Sequence, residues 1–344
     1  MNSLNLVTRC MKFLSFDYLC SRACLVAVPL LFATSLNGSA QAETAKTEKT
    51  AKTEKTAKAF EVLLDITYAK PGGTAVKLDA YLPTTPGLKP GLLLIHGGAW
   101  KAGSRKGFRD YATELATRGF ACFSISYRLA PDHKFPAQID DCRAAVVWLR
   151  ANAQKYNVDP DRLGAIGFSA GGHLATLLAT SGEAPSPENG NVDTRIQAAA
   201  AGGAPTEFRL MPDNGRWAKY WMGGDLSTVP EKFKAASPTV FVDAEDPPVL
   251  FFNGTADKTV PLLWTMPCYF GLKEAGVETE MYKVKGAGHS KTRGDKGAKK
   301  AAFDFLERIL MPKDADKDAE KDADEDKVEA EKPESAEATI KATQ

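Results

Sequence analysis

Residues 162–175 read RLGAIGFSAGGHLA, and the order of residue types in that stretch sets the fold. RLGAIGF (162–168) is a short, largely apolar run that passes directly into small residues and then into a helix-forming stretch from Ala170. A continuously apolar run of strand length, bounded by turn residues, reads as a strand buried on both faces. Gly167-Phe168-Ser169-Ala170-Gly171 is thus a GxSxG segment placed between a buried strand and a helix. Small residues belong there because the serine must occupy a strained strand-to-helix turn, where larger flanking side chains would meet neighbouring backbone. The turn exposes the hydroxyl at the carboxyl end of the strand, and the Ala170 amide at the helix N-terminus faces developing negative charge. Ser169 is the candidate nucleophile.

Reading outward, residues 59–312 alternate strand-like and helix-like segments. FEVLLDITYA (60–69) and AVKLDAYLP (75–83) predict an opening antiparallel pair turned by PGGT (71–74). Further strands are predicted at 91–96, 120–127, 162–168, 196–203, 248–254 and 278–284, with helices near 106–118, 137–154, from 170, 262–275 and 295–311. The expectation is an α/β fold with a mostly parallel eight-stranded sheet and helices on both faces. Residues 204–247, rich in Trp, Pro and Gly, break the rhythm and predict a small excursion over one edge before the acid-bearing strand.

His96-Gly97-Gly98-Ala99-Trp100 ends the buried strand 91–96. Consecutive glycines let the backbone curl so that the Gly97 and Gly98 amides join that of Ala170 around one oxygen, an oxyanion hole. A serine hydroxyl also needs a base, and the chain has four histidines. His173 lies one helical turn beyond Ser169, His133 reads as an exposed loop residue, and His96 as a loop brace. His289, in KGAGHS just after the last strand, falls on the same sheet edge as Ser169 and is the expected base. Asp257, following the penultimate strand in NGTADKTVP, is the expected orienting acid, giving the chain order Ser…Asp…His. Asp243, Glu245 and Asp246 precede that strand, at its opposite end. Trp100, Trp217 and Trp221 are candidates for lining or covering the pocket. No cofactor is needed for this chemistry, and no metal-ligand spacing is present.

The blocks HGGAW, YRLAPDHKFPAQIDDC (127–142), DPDRLGAIGFSAGGHLA (159–175), NGTADKTVP (253–261) and GAGHS (286–290) resemble the α/β-hydrolase esterases. Within these the chain is similar to the hormone-sensitive-lipase-like group, closest to the feruloyl and acetylxylan esterase-like branch. The resemblance implies a carboxylic ester hydrolase with Ser169, Asp257 and His289 as triad and Gly97, Gly98 and Ala170 as oxyanion donors. It also implies bracing roles for Arg128, Asp140 and Asp141. Two positions depart from the pattern: Ala99 replaces a third glycine, and Asn253 replaces a histidine before Gly-Thr-x-Asp. A prolyl-oligopeptidase-like peptidase shares the motif order, but about 250 folded residues leave no room for its extra domain. A catalytically silent hydrolase-fold binding protein is the other alternative, and an intact triad argues against it.

The ends read differently. Arg9, Lys12 and Arg22 precede an apolar run from Ala23 to Leu36, and Ala40-Gln41-Ala42 is a small-x-small cleavage pattern. Residues 1–42 therefore predict an export signal, with Met1 or Met11 as the start and a periplasmic or secreted destination. The apolar run is shorter than the roughly 20 residues of a comfortable membrane span. Residues 43–58 repeat TAKTEK and predict a solvated linker, and residues 313–344, with twelve Asp/Glu against six Lys, a solvated acidic tail. A net charge of +1 gives no electrostatic case for nucleic acid. The expected partner is a small-molecule or polysaccharide-linked ester. Cys122, Cys142 and Cys268 remain after signal removal, and the sequence allows one disulfide among them without choosing the pair.

Overall fold

GLLLIH and RLGAIGF become neighbouring parallel strands because apolar side chains leave both faces of each, and each face needs a cover. The computed structural model describes residues 59–183, 191–211 and 217–311; the expected signal (1–42), linker (43–58) and tail (313–344) lie outside the described residues. The strands are β1 (Phe60–Ala69), β2 (Val76–Pro83), β3 (Lys89–Ile95), β4 (Ala121–Ile125), β5 (Val158–Phe168), β6 (Ala198–Gly202), β7 (Val249–Gly254) and β8 (Thr279–Val284). They form one sheet in the order β1-β2-β4-β3-β5-β6-β7-β8. β2 runs antiparallel to both its neighbours, and every pairing from β4 to β8 is parallel. This is the α/β-hydrolase arrangement that the motif order implies.

Strand periodicity sorts the core into two layers. On β3, Leu93 and Ile95 face one cluster with α2 (Ala137–Ala151), α3 (Ala170–Thr180) and α5 (Leu262–Glu274), while Leu92 and Leu94 face another with α1 (Arg109–Thr117) and α7 (Lys296–Leu310). α3 presses closely on β6, which reads AAAAG: a Cβ at Gly172 would sit 2.6 Å from the Gly202 carbonyl oxygen. β5 begins at Val158, four residues before the expected Arg162, since Val158 and Asp159 pair with Lys89 and Pro90 before a register shift at Gly91–Leu163.

One expectation is corrected and one open point is decided. The segment 204–247 does not merely skirt an edge: Phe208, Trp221 and Phe233 are buried in the core layer of α2, α3 and α5, around a short helix α4 (Pro230–Ala235). The possible disulfide is absent among the described residues, where Cys122, Cys142 and Cys268 are buried free thiols. Cys122 faces the layer of α1 and α7, whereas Cys142 and Cys268 face the opposite layer, so the sheet separates the first from the other two. Burial raises all three thiols well above the usual range, which keeps them protonated and inert. No helix among the described residues is long and apolar enough to cross a membrane.

Candidate active site

Ser169 occupies the turn between β5 and α3 at φ 59°, ψ −122°, a backbone state that non-glycine residues rarely adopt. The turn is fixed from both sides: its N–H donates to the Gly202 carbonyl at 2.7 Å, and its carbonyl accepts from the His173 N–H at 2.9 Å. The flanking glycines are required by contact. A Cβ at Gly167 would approach the Gly171 carbonyl oxygen to 2.1 Å, and one at Gly171 would approach that of Ile95 to 1.9 Å. The GxSxG pattern is thus the imprint of three backbone segments meeting beneath one hydroxyl.

His289 and Asp257 come together although 32 positions separate them. Asp257, on the turn after β7, is buried, and its Oδ1 accepts the Thr259 and Val260 amides at 2.8 and 2.9 Å. Its Oδ2 lies 2.6 Å from His289 Nδ1. A carboxylate accepts, so Nδ1 carries the proton and Nε2 is left as the basic nitrogen. His289 opens a short helix, α6 (His289–Gly294), rather than lying within a loop. Its ring packs on Phe168 at 4.8 Å between centroids. A Cβ at Gly203 would fall 3.0 Å from His289 Cε1. Phe168 precedes Ser169, and Gly203 follows the residue that accepts the Ser169 amide, so the imidazole rests on the turn that bears Ser169. Asn253, the departure noted beside the acid, is buried and links this loop to α5: its Nδ2 donates to the Val260 carbonyl at 3.2 Å, and its Oδ1 accepts Thr265 Oγ1 at 3.1 Å.

The glycine loop after β3 sits against the serine: a Cβ at Gly97 would lie 3.2 Å from Ser169 Cβ and 2.7 Å from the Phe168 carbonyl oxygen. Gly98, at φ 119°, turns its carbonyl away to accept the Lys101 and Ala102 amides at 3.1 and 3.0 Å. Among the described residues no backbone group accepts the Gly97, Gly98 or Ala170 amide. Unengaged amides on a loop against the serine turn are what an oxyanion needs. Ala99 and Trp100 follow at φ 52° and 60°. A left-handed backbone at Ala99 explains why the resembling pattern carries glycine there, and its strain costs on the order of 1 kcal/mol.

The other histidines are engaged elsewhere. His96 is buried, its Nδ1–H donates to the Gly97 carbonyl at 2.7 Å, and its ring stacks on Tyr127 at 4.2 Å. Burial pushes its pKa down to about 4, so it braces the loop as a neutral ring. His173 is buried among aromatic rings with both nitrogens hydrogen-bonded, and His133 is half-buried in its loop. Of the expected braces, Asp141 is buried and holds the Arg128 guanidinium and amide. Asp140 is a correction: it is exposed and reaches only Arg143, at 3.8 Å, because it lies on the outer face of α2.

A cleft of about 380 Å³ opens over Ser169, with Trp100, Phe208, Met211, Trp217, Tyr220 and Trp264 among its walls. Trp221 is corrected. It does not line the cleft but lies fully buried beneath it, stacked flat on Trp100 at 3.7 Å, with its Nε1 donating to Gln138 at 3.0 Å. Tyr220 and Trp264 escaped the sequence reading, because nothing in a single aromatic residue tells which distant turn it will face. Among the described residues no group of three His, Cys, Asp or Glu side chains forms a metal site.

A family model described as BD-FAE matches residues 78–265. The chain is similar to Esterase LipC of Mycobacterium tuberculosis, 33% identical over 192 residues that make up 53% of this chain and 47% of that protein. It spans about half the length of the curated relatives it matches. A truncated carbohydrate esterase from gut microbiota superposes with a TM-score of 0.64 at 26% identity, over 74% of this chain and 98% of that one. Est2, a thermophilic esterase of the Planctomycetes species Thermogutta terrifontis, gives 0.62 at 28% identity, over 74% and 95%.

Proposed function

We propose, from the premise that this chain belongs to the BD-FAE family, that it is a serine hydrolase of carboxylic esters acting through an acyl-enzyme. The observation that carries this reading is the contact of 2.6 Å between Asp257 and His289, made against the turn that bears Ser169. His289 Nε2 takes the Ser169 proton as Oγ bonds to the ester carbonyl carbon, and the carbonyl electrons move onto oxygen. The Gly97, Gly98 and Ala170 amides receive that oxyanion. Each such donor contributes about 3–4 kcal/mol to the transition state. The carbon–oxygen bond to the alcohol then breaks, and His289 returns the proton to the leaving alkoxide. Water, deprotonated by the same nitrogen, releases the acid and restores the serine.

The cleft supports the substrate class. Its aromatic and apolar walls and modest volume suit a short-acyl, acetyl or feruloyl ester, borne by a small molecule or a polysaccharide. Relatives named as esterase and carbohydrate esterase support the same class. Residues 1–42 carry the pattern of an export signal, which places the ester outside the cytoplasm in this reading.

Purified protein assayed on nitrophenyl esters of short and long acyl chains, feruloyl esters, acetylated xylan and a prolyl peptide tests the proposal. Ester turnover is expected, best on short acyl groups, and Ser169→Ala should lower it by at least about a thousandfold. Equal slow rates in wild type and variant would refute the enzymatic reading. Cleavage of the prolyl peptide without ester turnover would favour a peptidase.

A further inference from the structure

His173 is a buried, titratable side chain on the nucleophile helix that the proposed mechanism leaves unused. It is fully buried. Its Nε2 lies 2.7 Å from the Ala236 carbonyl oxygen, and its Nδ1 lies 3.1 Å from Trp100 Nε1. Both partners are one-way groups: a carbonyl only accepts, and an indole N–H only donates. The single form of the ring that satisfies both is neutral, with the proton on Nε2. Burial favours that form, since it pushes the His173 pKa down to about 4.

The two bonds tie together three parts that the chain keeps far apart. His173 belongs to α3, and its own amide donates to the Ser169 carbonyl. Ala236 ends the helix α4 of the excursion. Trp100 closes the glycine loop, where it and Ala99 hold left-handed backbone angles that would relax if nothing opposed them. Edge contacts from His173 to Trp100 at 5.5 Å and to Phe208 at 4.9 Å complete the seat, with Trp221 stacked beneath the indole.

We infer that His173 is a positioning residue for the oxyanion hole: by accepting the Trp100 indole N–H it holds the strained end of the glycine loop in register with the serine turn. This role presupposes Ser169 as nucleophile and the Gly97 and Gly98 amides as oxyanion donors. The helix that presents the nucleophile thereby also sets where its oxyanion donors stand. A shift of those amides by a fraction of an ångström weakens the transition state while leaving ground-state binding nearly intact.

The test compares His173→Phe, which keeps ring volume and loses the acceptor, with His173→Asn, which keeps an acceptor oxygen near the Nδ1 position. Active sites are counted first by the nitrophenol burst, so that partly unfolded protein does not enter the rate. Two quantities are then read per active site: kcat and KM on a short-acyl ester, and Ki for a trifluoromethyl ketone. The serine adds to that ketone, its proton passing to His289 and the carbonyl electrons to an oxyanion that the loop amides must hold. For His173→Phe, kcat is expected to fall about 10- to 100-fold and Ki to rise by a similar factor, with KM within about threefold of wild type. His173→Asn should regain part of both losses.

Wild-type kcat and Ki per active site in His173→Phe, whatever the yield, would overturn the role, as would equal losses in the Phe and Asn variants. If His173→Phe yields no folded protein, Trp100→Phe removes the same hydrogen bond from the loop side. Parallel changes in kcat and Ki then support the role, and unchanged values overturn it. Failure of the underlying reading is distinguishable, because it appears as Ser169→Ala retaining the burst.

Discussion

Along the wall of the cleft formed by the turns after β3, β5 and β7, backbone groups set the positions, whereas the wall drawn from residues 205–211 and 217–221 is held by side-chain rings. On the first, Ser169 is fixed by two main-chain hydrogen bonds and Asp257 by two neighbouring amides. On the second, Phe208 lies 5.3 Å from Trp217 and 5.2 Å from Trp221, and Trp221 lies flat on Trp100. Backbone-set geometry is stiff and tolerates few residue types. Ring packing holds as long as shape and apolar area are kept, at about 0.5–1.5 kcal/mol per well-placed pair beyond burial itself. In the proposed reading, chemistry sits on the unforgiving wall and substrate choice on the adaptable one, and the two meet at His173, which bonds Trp100 and packs on Phe208 and Trp221.

That seam is where the largest effect on stability is expected. His96 and His173 ordinarily titrate near 6.5, and burial brings both to about 4. Their native forms stay neutral where the unfolded chain takes up protons, so stability is full above about pH 6.5 and is lost as pH falls toward 4. At 1.36 kcal/mol per pKa unit, each histidine removes up to roughly 3 kcal/mol across that window, a large part of a domain's total. Asp246 acts oppositely: half-burial raises it to about 7, so its protonation favours the native state as pH falls. Its partial exposure to solvent weakens that offset. Urea midpoints measured at about pH 7 and about pH 4.5 should therefore drop, and Asp246→Asn should steepen the drop. A flat profile in both proteins would mean that burial does not hold the two rings neutral in the native state.

The largest effect on catalysis breaks the backbone-set wall at one atom. Asp257→Asn keeps the side-chain shape but cannot accept the His289 Nδ1 proton as a carboxylate does, so the imidazole is free to take the wrong tautomer. A loss of about 10,000-fold in kcat with modest change in KM is expected on a short-acyl ester. A loss below about tenfold would show that the amides of Thr259 and Val260 position a carboxyl group the reaction does not need.

These two walls also differed in how far they could be read before the structure. RLGAIGFSAGG and HGGAW announce themselves, because glycines at close approaches and a nucleophile between strand and helix are demands that few sequences meet by chance. The eight strands and their order class were legible for the same reason: continuous apolar runs for the covered strands, and a turn-linked pair at the edge. Asp257 and His289 needed one more step, the inference that the turns after the last two strands return to the same sheet end. Residues 204–247 gave no period to follow, so Trp221 was expected at the mouth and lies under it, while Tyr220 and Trp264 were missed. A tryptophan on an irregular segment buries against whatever the finished fold puts beside it, and no local pattern encodes that neighbour. The early start of β5 was hidden likewise, since a register shift beside Gly91 is set by β3 and not by residues 158–161.

The smallest effect tests the adaptable wall directly. Trp217 is half-buried, and its ring lies 5.3 Å from Phe208 and 5.7 Å from Phe233 while one side faces the cleft above Ser169. Truncation in Trp217→Ala removes a wall without touching the triad, although its ring also lies 6.4 Å from Trp100 at the end of the glycine loop. Each added methylene is worth about 1–3 kcal/mol of discrimination in an apolar pocket. The ratio of kcat/KM for a hexanoyl ester over an acetyl ester should consequently rise about tenfold, because the longer chain gains room that the acetyl group never used. Matched kinetics on the two esters, normalised to the burst, give that ratio independently of folding yield. If kcat/KM instead falls by the same factor on both esters, the ring supports the chemistry and not the choice of substrate. The division between a stiff catalytic wall and an adaptable recognition wall would then have to be redrawn, with Trp217 counted alongside Trp100.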